Sequence, residues 1–160
     1  MRSIVSIIAL LSLNACVSLD LQKDIPTAEG VLFAAPKSGF ESESVDNLDH
    51  HWIQKSTGNS ISLKSSCFDP ADPDLNYLSQ SSFNGLKVEE EIKTETIQYN
   101  KREALHTKKK VNIDGIKVIV ELVVLKKNNC NYILSHVGID KNFNTSAGTF
   151  AEFTKSFKAP

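Results

Sequence analysis

Apolar and polar positions alternate along this chain in three distinct patterns. The first is a solid run. Residues 4–13 are Ile, Val, Ala and Leu broken only by Ser6 and Ser12, apolar all the way round a helix and therefore without the polar face that a core helix shows. The run is also too short to cross a bilayer core of about 30 Å, which needs about 20 helical residues. Behind the short positive start Met1-Arg2, it fits the apolar segment of a secretory signal.

The second pattern has the period of a strand. "HWIQK" and "SISLKSSC" flank Thr57-Gly58-Asn59-Ser60, a hairpin whose Gly and Asn supply the positive backbone angles that a tight turn requires. Trp52 is expected in the core, and its apolar neighbour Ile53 implies either a strand covered on both faces or a local bulge. Residues 88–139 are rich in Thr, Ile and Val and contain two turn signals, Asn112-Ile113-Asp114-Gly115 and Lys127-Asn128-Asn129, which predicts three long antiparallel strands. Within them "IKVIVELVVL", residues 116–125, is apolar at both parities and reads as a central strand covered on both faces. By contrast "KREALHTKKKVN" has the lysine content of an edge or protruding strand.

The third pattern is helical. In "TSAGTFAEFTKSFK" the rings of Phe150, Phe153 and Phe157 recur at spacings of three and four, so they share one face while Glu152, Lys155 and Lys158 stay outside. Either Thr145 or Ser146 suits the N-cap. In "DPADPDLNYLSQSSF", Asp72 or Asp74 can cap a short surface helix with Leu75, Leu78 and either Ser82 or Phe83 on one side. Residues 31–35 form the first apolar segment after residues 17–28, which mix polar side chains with a proline and read as a tether.

Strands, a helix, a meander and a closing aromatic helix describe an α+β fold, an antiparallel sheet with helices packed on it. The doubly covered strand favours three layers over two. The run "REALHTKKKVNIDGIKVIVELVVLKKNNCNYILSHVG" followed by "FAEFTKSFK" resembles the PsbP-like proteins, in which a long hairpin precedes a closing helix of the same rhythm. The resemblance implies a three-layer α/β/α sandwich used for docking to larger assemblies, with no shared catalytic residues.

At the end of the solid apolar run, Leu13-Asn14-Ala15-Cys16 resembles the lipobox of bacterial lipoproteins, apolar three before the cysteine and small directly before it. That resemblance implies a diacylglyceryl group on the Cys16 thiol, cleavage between Ala15 and Cys16, and a fatty acyl group such as palmitate on the new amino terminus. With Val17 rather than Asp after the cysteine, it also implies the periplasmic face of the outer membrane. The expected organisation is a signal peptide over residues 1–15, a lipidated N-terminus and tether over 16–30, and one globular domain over 31–160. Once lipid consumes Cys16, two cysteines remain, Cys67 and Cys130. In an oxidising compartment they are expected to form a disulfide, since both lie near the ends of strand-like runs.

The net charge of −1 becomes one unit more negative when Arg2 leaves with the signal, which gives no reason to expect nucleic acid as a partner. No Cys or His pair has metal-ligand spacing, and Asp69, Asp72 and Asp74 alternate as in a calcium loop but lack its Gly turn and closing Glu. No metal and no cofactor are expected. The histidines His50, His51, His106 and His136 belong to no G-x-S-x-G, H-E-x-x-H or phosphate-loop motif, so no catalytic residue is assigned. A small envelope hydrolase with an unidentified site stands as the alternative to a non-catalytic accessory or binding domain. For the latter, Lys101, Arg102, Lys108, Lys109 and Lys110 are the candidate docking surface for an envelope protein or anionic headgroups, and the membrane itself is a partner through Cys16.

Overall fold

The computed structural model describes residues 25–37 and 39–160; the lipobox and Cys16 lie outside the described residues. Seven strands, β1 (Glu41–Glu43), β2 (His50–Gln54), β3 (Asn59–Cys67), β4 (Lys87–Tyr99), β5 (Arg102–Ile113), β6 (Ile116–Lys127) and β7 (Cys130–Ile139), form one sheet. Helix α1 (Leu75–Ser81) follows β3, and a 3-10 turn (Phe143–Ser146) leads from β7 into α2 (Ala147–Ser156). The spatial order is β1-β2-β3-β7-β6-β5-β4, with every neighbour antiparallel.

Local chemistry accounts for the meander. Two-residue turns of the type that matches strand twist need positive φ at both positions, and Asp114-Gly115 (51° and 86°) and Asn128-Asn129 (51° and 59°) provide it. So do Asn100 (49°) and Lys101 (63°), a third turn that divides the expected three long strands into four. The lysine-rich β5 is consequently not an edge. It lies between β4 and β6, and β4 is the edge, exposed along nearly its whole length and carrying two register shifts. Charged side chains and bulges on an edge discourage pairing with other chains. The β2–β3 turn occupies residues 55–58, so Asn59 is the first residue of β3 and is fully buried.

Strand β6 sends alternate side chains into two separate cores. Val123 and Leu125 pack with Leu63, Tyr132, Leu134, Phe150, Phe153 and Phe157 under α2. Val118, Val120, Leu122 and Val124 pack with Leu78 and Phe83 on the α1 side. The sandwich thus has three layers. Trp52 joins the α2 side edge-on to Phe153. Asp74 caps α1, its carboxylate accepting from Tyr77 N at 2.7 Å, while Asp72 pairs with Lys126. Phe150 and Phe153 are buried on α2, and Phe157 lies just past its last turn in extended backbone, also buried. Lys158 then exchanges two backbone hydrogen bonds with Leu32.

Cys67 and Cys130 are paired residues at the end of β3 and the start of β7, and they form a disulfide with Cα atoms 4.0 Å apart. The backbone beside them is tied to the start of the domain. Cys67 N donates to Pro26 O at 2.7 Å, and Ala28 N to Ser65 Oγ at 2.8 Å. Contacts with the sheet therefore begin inside the stretch expected to be tether.

The disulfide closes a sequence separation of 63 residues, for which chain entropy suggests about 4 kcal/mol. Cys67→Ala with Cys130→Ala should therefore lower the urea midpoint by an amount equivalent to roughly 2–4 kcal/mol; an unchanged midpoint would contradict a structural role for the bond.

Candidate functional site

Two places in the fold gather chemistry-bearing side chains. The first lies under α2. Cross-strand register sets Glu121 of β6 directly between Lys108 of β5 and His136 of β7, and these side chains share one sheet face. His106 Nε2 lies 2.8 Å from Glu121 Oε1, where a carboxylate can only accept, so the imidazole donates. His136 Nδ1 is 3.7 Å and Lys108 Nζ 3.9 Å from Oε2. Beyond the ring, His136 Nε2 is 2.7 Å from Ser146 Oγ, and Asn59 Nδ2 donates to that hydroxyl at 2.7 Å.

Hydroxyl, imidazole and carboxylate stand in the order of a nucleophile, its base and the group that orients the base. The surroundings do not suit that chemistry. His136 is 0% exposed and Ser146 1%, with the imidazole packed against Phe143 at 4.1 Å and Phe150 at 5.3 Å between centroids. An acyl substrate has no approach to the hydroxyl, and 3.7 Å is too long for a carboxylate–imidazole hydrogen bond. The array holds the 3-10 turn and the start of α2 onto the sheet, and the Ser146 hydroxyl turns inward to His136 without capping its own helix. Gly138 makes this possible, because a Cβ there would overlap the Asn59 side chain.

Of the four histidines, the fold joins His106 and His136 through Glu121. His50 stacks on Trp52 and meets Phe33 edge-on, while His51 belongs to the other parity of β2. Burial alone would raise the Glu121 carboxyl. The hydrogen bond from His106, the adjoining His136 and the Lys108 charge outweigh it and hold the group at about 2.

The second place is the end of the sheet where Cys67 pairs with Cys130, Cys130 with Lys127, and Tyr99 with Arg102. A recess of about 240 Å³ opens there, lined by Tyr99, Asn100, Arg102, Lys127 and Lys158 among others. The Tyr99 hydroxyl donates to Thr154 O, and burial pushes it up to about 12, so it stays a neutral phenol. Asn100 Nδ2 donates to Phe157 O at 3.0 Å and Lys127 Nζ to Ala159 O at 2.8 Å. Among the described residues no carboxylate lies within ion-pair distance of Lys101, Arg102, Lys127 or Lys158. Phe68, at φ 58°, stands beside Cys67 and is 70% exposed.

The basic run therefore divides. Lys109 pairs with Glu91 at 3.0 Å and Lys110 with Asp140 at 3.0 Å and Glu90 at 3.6 Å. Lys108 lies near Glu121 and over the Phe143 ring at 4.4 Å. Only Lys101 and Arg102 keep their charge uncommitted, and the fold adds Lys127 and Lys158 to them.

No family model matches the sequence, and no curated protein matches it either. Solved structures do. LpqN of Mycobacterium tuberculosis, described as involved in cell envelope biogenesis, aligns with a TM-score of 0.59 at 12% identity over 86% of this chain and 88% of its own. The cyanobacterial PsbP protein CyanoP from Synechocystis sp. PCC 6803 aligns with a TM-score of 0.56 at 11% identity, covering 82% of this chain and 87% of that one. A protein from Bacteroides thetaiotaomicron VPI-5482 aligns at 0.55 and 10% identity over 81% of this chain, which spans 45% of that longer protein. At such identities the likeness shows the fold, an α+β sandwich of the PsbP-like kind.

Because the folded carboxyl lies below its ordinary 4.5, Glu121 contributes stability above that pH and loses it as pH falls through about 2, a contribution on the order of 3 kcal/mol. Urea titrations at stepped pH should show wild type weakening over this window and Glu121→Gln weakening much less; parallel curves would contradict the pairing. Gly138→Ala should lower the thermal midpoint by several degrees, equivalent to roughly 1–3 kcal/mol, whereas an unchanged midpoint would show that Asn59 has room to move.

Proposed function

We propose that this chain is a lipid-anchored accessory domain of the bacterial envelope, held through acyl chains on Cys16 at the periplasmic face of the outer membrane, which binds its partner without transforming it. One contrast carries the reading. The hydroxyl–imidazole–carboxylate array is sealed beneath α2, while the recess open to solvent presents cations, an amide and a neutral phenol, with no nucleophile beside a base. Such a lining recognises anionic groups.

The lipobox supplies the anchor. Each acyl chain adds about 0.8 kcal/mol per buried methylene, so two or three chains make attachment stable where one leaves it marginal. The likeness to LpqN, itself described in cell envelope biogenesis, supports an envelope setting. The hydrolase alternative draws on the 2.7 Å contact between Ser146 and His136, and it makes a different chemical forecast.

Metabolic labelling with radioactive palmitate should mark the wild-type chain and leave Cys16→Ser unmarked; an unlabelled wild type would refute the anchor. Incubation of the native protein with a fluorophosphonate, followed by intact mass measurement, should give no adduct, whereas modification of Ser146 would establish the hydrolase reading.

A further inference from the structure

We infer that the Cys67 end of the sheet is the face this domain turns toward its own membrane, the Arg102–Lys127–Lys158 recess receiving the phosphate of an anionic lipid headgroup and Phe68 entering the interface beside it. The inference rests on the anchor proposed above. Three independent features of the fold converge on that end.

The first is the point of exit. Pro26 is hydrogen-bonded to Cys67, so the described chain leaves the sheet at this end and not at the end holding the Asp114-Gly115 turn. Cys16 stands ten positions before Pro26. A span of that length reaches at most about 35 Å, so an anchored Cys16 keeps this end close to the headgroups and raises its effective concentration there.

The second is charge. A chain of net charge −1 has no compositional reason to collect cations without carboxylate partners, yet Arg102, Lys127 and Lys158 line one recess at the exit, drawn from the start of β5, the end of β6 and the segment after α2, with Lys101 in the adjoining turn. An Arg fork beside two ammonium groups suits a phosphate better than a hydrated monovalent anion. Asp69 and Asp72 are the carboxylates beside Phe68; Asp72 is held by Lys126, and Asp69 accepts from Ala71 N.

The third is Phe68, a large apolar residue left exposed at a positive φ that is unusual for a bulky side chain. Aromatic side chains favour the boundary between headgroups and hydrocarbon.

The test uses the full lipidated chain reconstituted into phosphatidylglycerol-containing vesicles or phosphatidylcholine vesicles, with amide hydrogen exchange as the readout. Exchange at residues 67–69, 99–102 and 127–129 should be slower with phosphatidylglycerol than with phosphatidylcholine. Arg102→Glu and Lys158→Glu should each remove about fivefold of that protection, with β6 exchange unchanged to show that the variants are folded. Phe68→Ser should reduce the protection at 67–69. Equal exchange in both vesicles, or protection at residues 113–116 in place of these, overturns the inference. Equal protection by inorganic phosphate without vesicles also overturns it, in favour of a free-anion site. A chain that co-sediments with both vesicles but shows no protection refutes the docking alone, whereas a purified chain without lipid that sediments with neither refutes the anchor and the docking with it.

Discussion

Strand β6 must be covered on both faces, and most of the architecture follows from that. Its inward positions on one side are Val118, Val120, Leu122 and Val124, and on the other Val123 and Leu125. Each such side chain is worth about 1.5–3 kcal/mol when removed from water. No single layer can cover both sets, so β6 lies inside the sheet with β5 and β7 at its sides, α1 over one face and α2 over the other. Because α2 has to return across the sheet to do this, the buried ring of Phe157, just past its last turn, delivers Lys158 to the end where the described chain meets the sheet.

One residue in β6 breaks the apolar rule, and the polar array is the consequence. A carboxylate at 121 on the α2 side needs compensation, and His106, Lys108 and His136 provide it from the two flanking strands. A slip of one residue would turn Glu121 toward the α1 core and separate it from all three. The charge therefore acts as a register mark for β5, β6 and β7, a use of buried ionic groups better supported than any large gain in stability. The same requirement explains why a serine, a histidine and a glutamate come to resemble catalytic machinery while lying where no substrate reaches.

What could be read from the sequence was what neighbouring residues decide. Asn128-Asn129 and Asp114-Gly115 announce their turns, and the phenylalanine spacing announces α2. Asn100-Lys101 carries no such signal, because lysine has no preference for positive φ, and without that turn two strands read as one and β5 reads as an edge. The short edge strand β1 is equally silent, three exposed residues with no apolar signal. Register, set by the whole sheet, was beyond local pattern. Glu121 was visible as a lone charge in "IKVIVELVVL", but its partners come from 15 residues away on either side. Similarly, the basic stretch 101–110 was visible as a stretch, and only the fold shows which of its charges β4, Glu121 and Asp140 already engage. Lys127 and Lys158 joined the cationic end with no sequence signal at all.

Register also ties chain exit, disulfide, cations without carboxylate partners and the exposed Phe68 to one end of the sheet. On the proposed anchor, that arrangement would give the domain a preferred orientation, and orientation distinguishes a docked domain from one that the anchor merely tethers. Paramagnetic broadening decides between them: the isotope-labelled lipidated chain is placed in lipid nanodiscs carrying a headgroup spin label. The account predicts strong broadening at Phe68, Lys101, Arg102 and Asn128 with Asp114 and Gly115 sharp; uniform broadening at both ends, or broadening confined to the Asp114-Gly115 end, would contradict it.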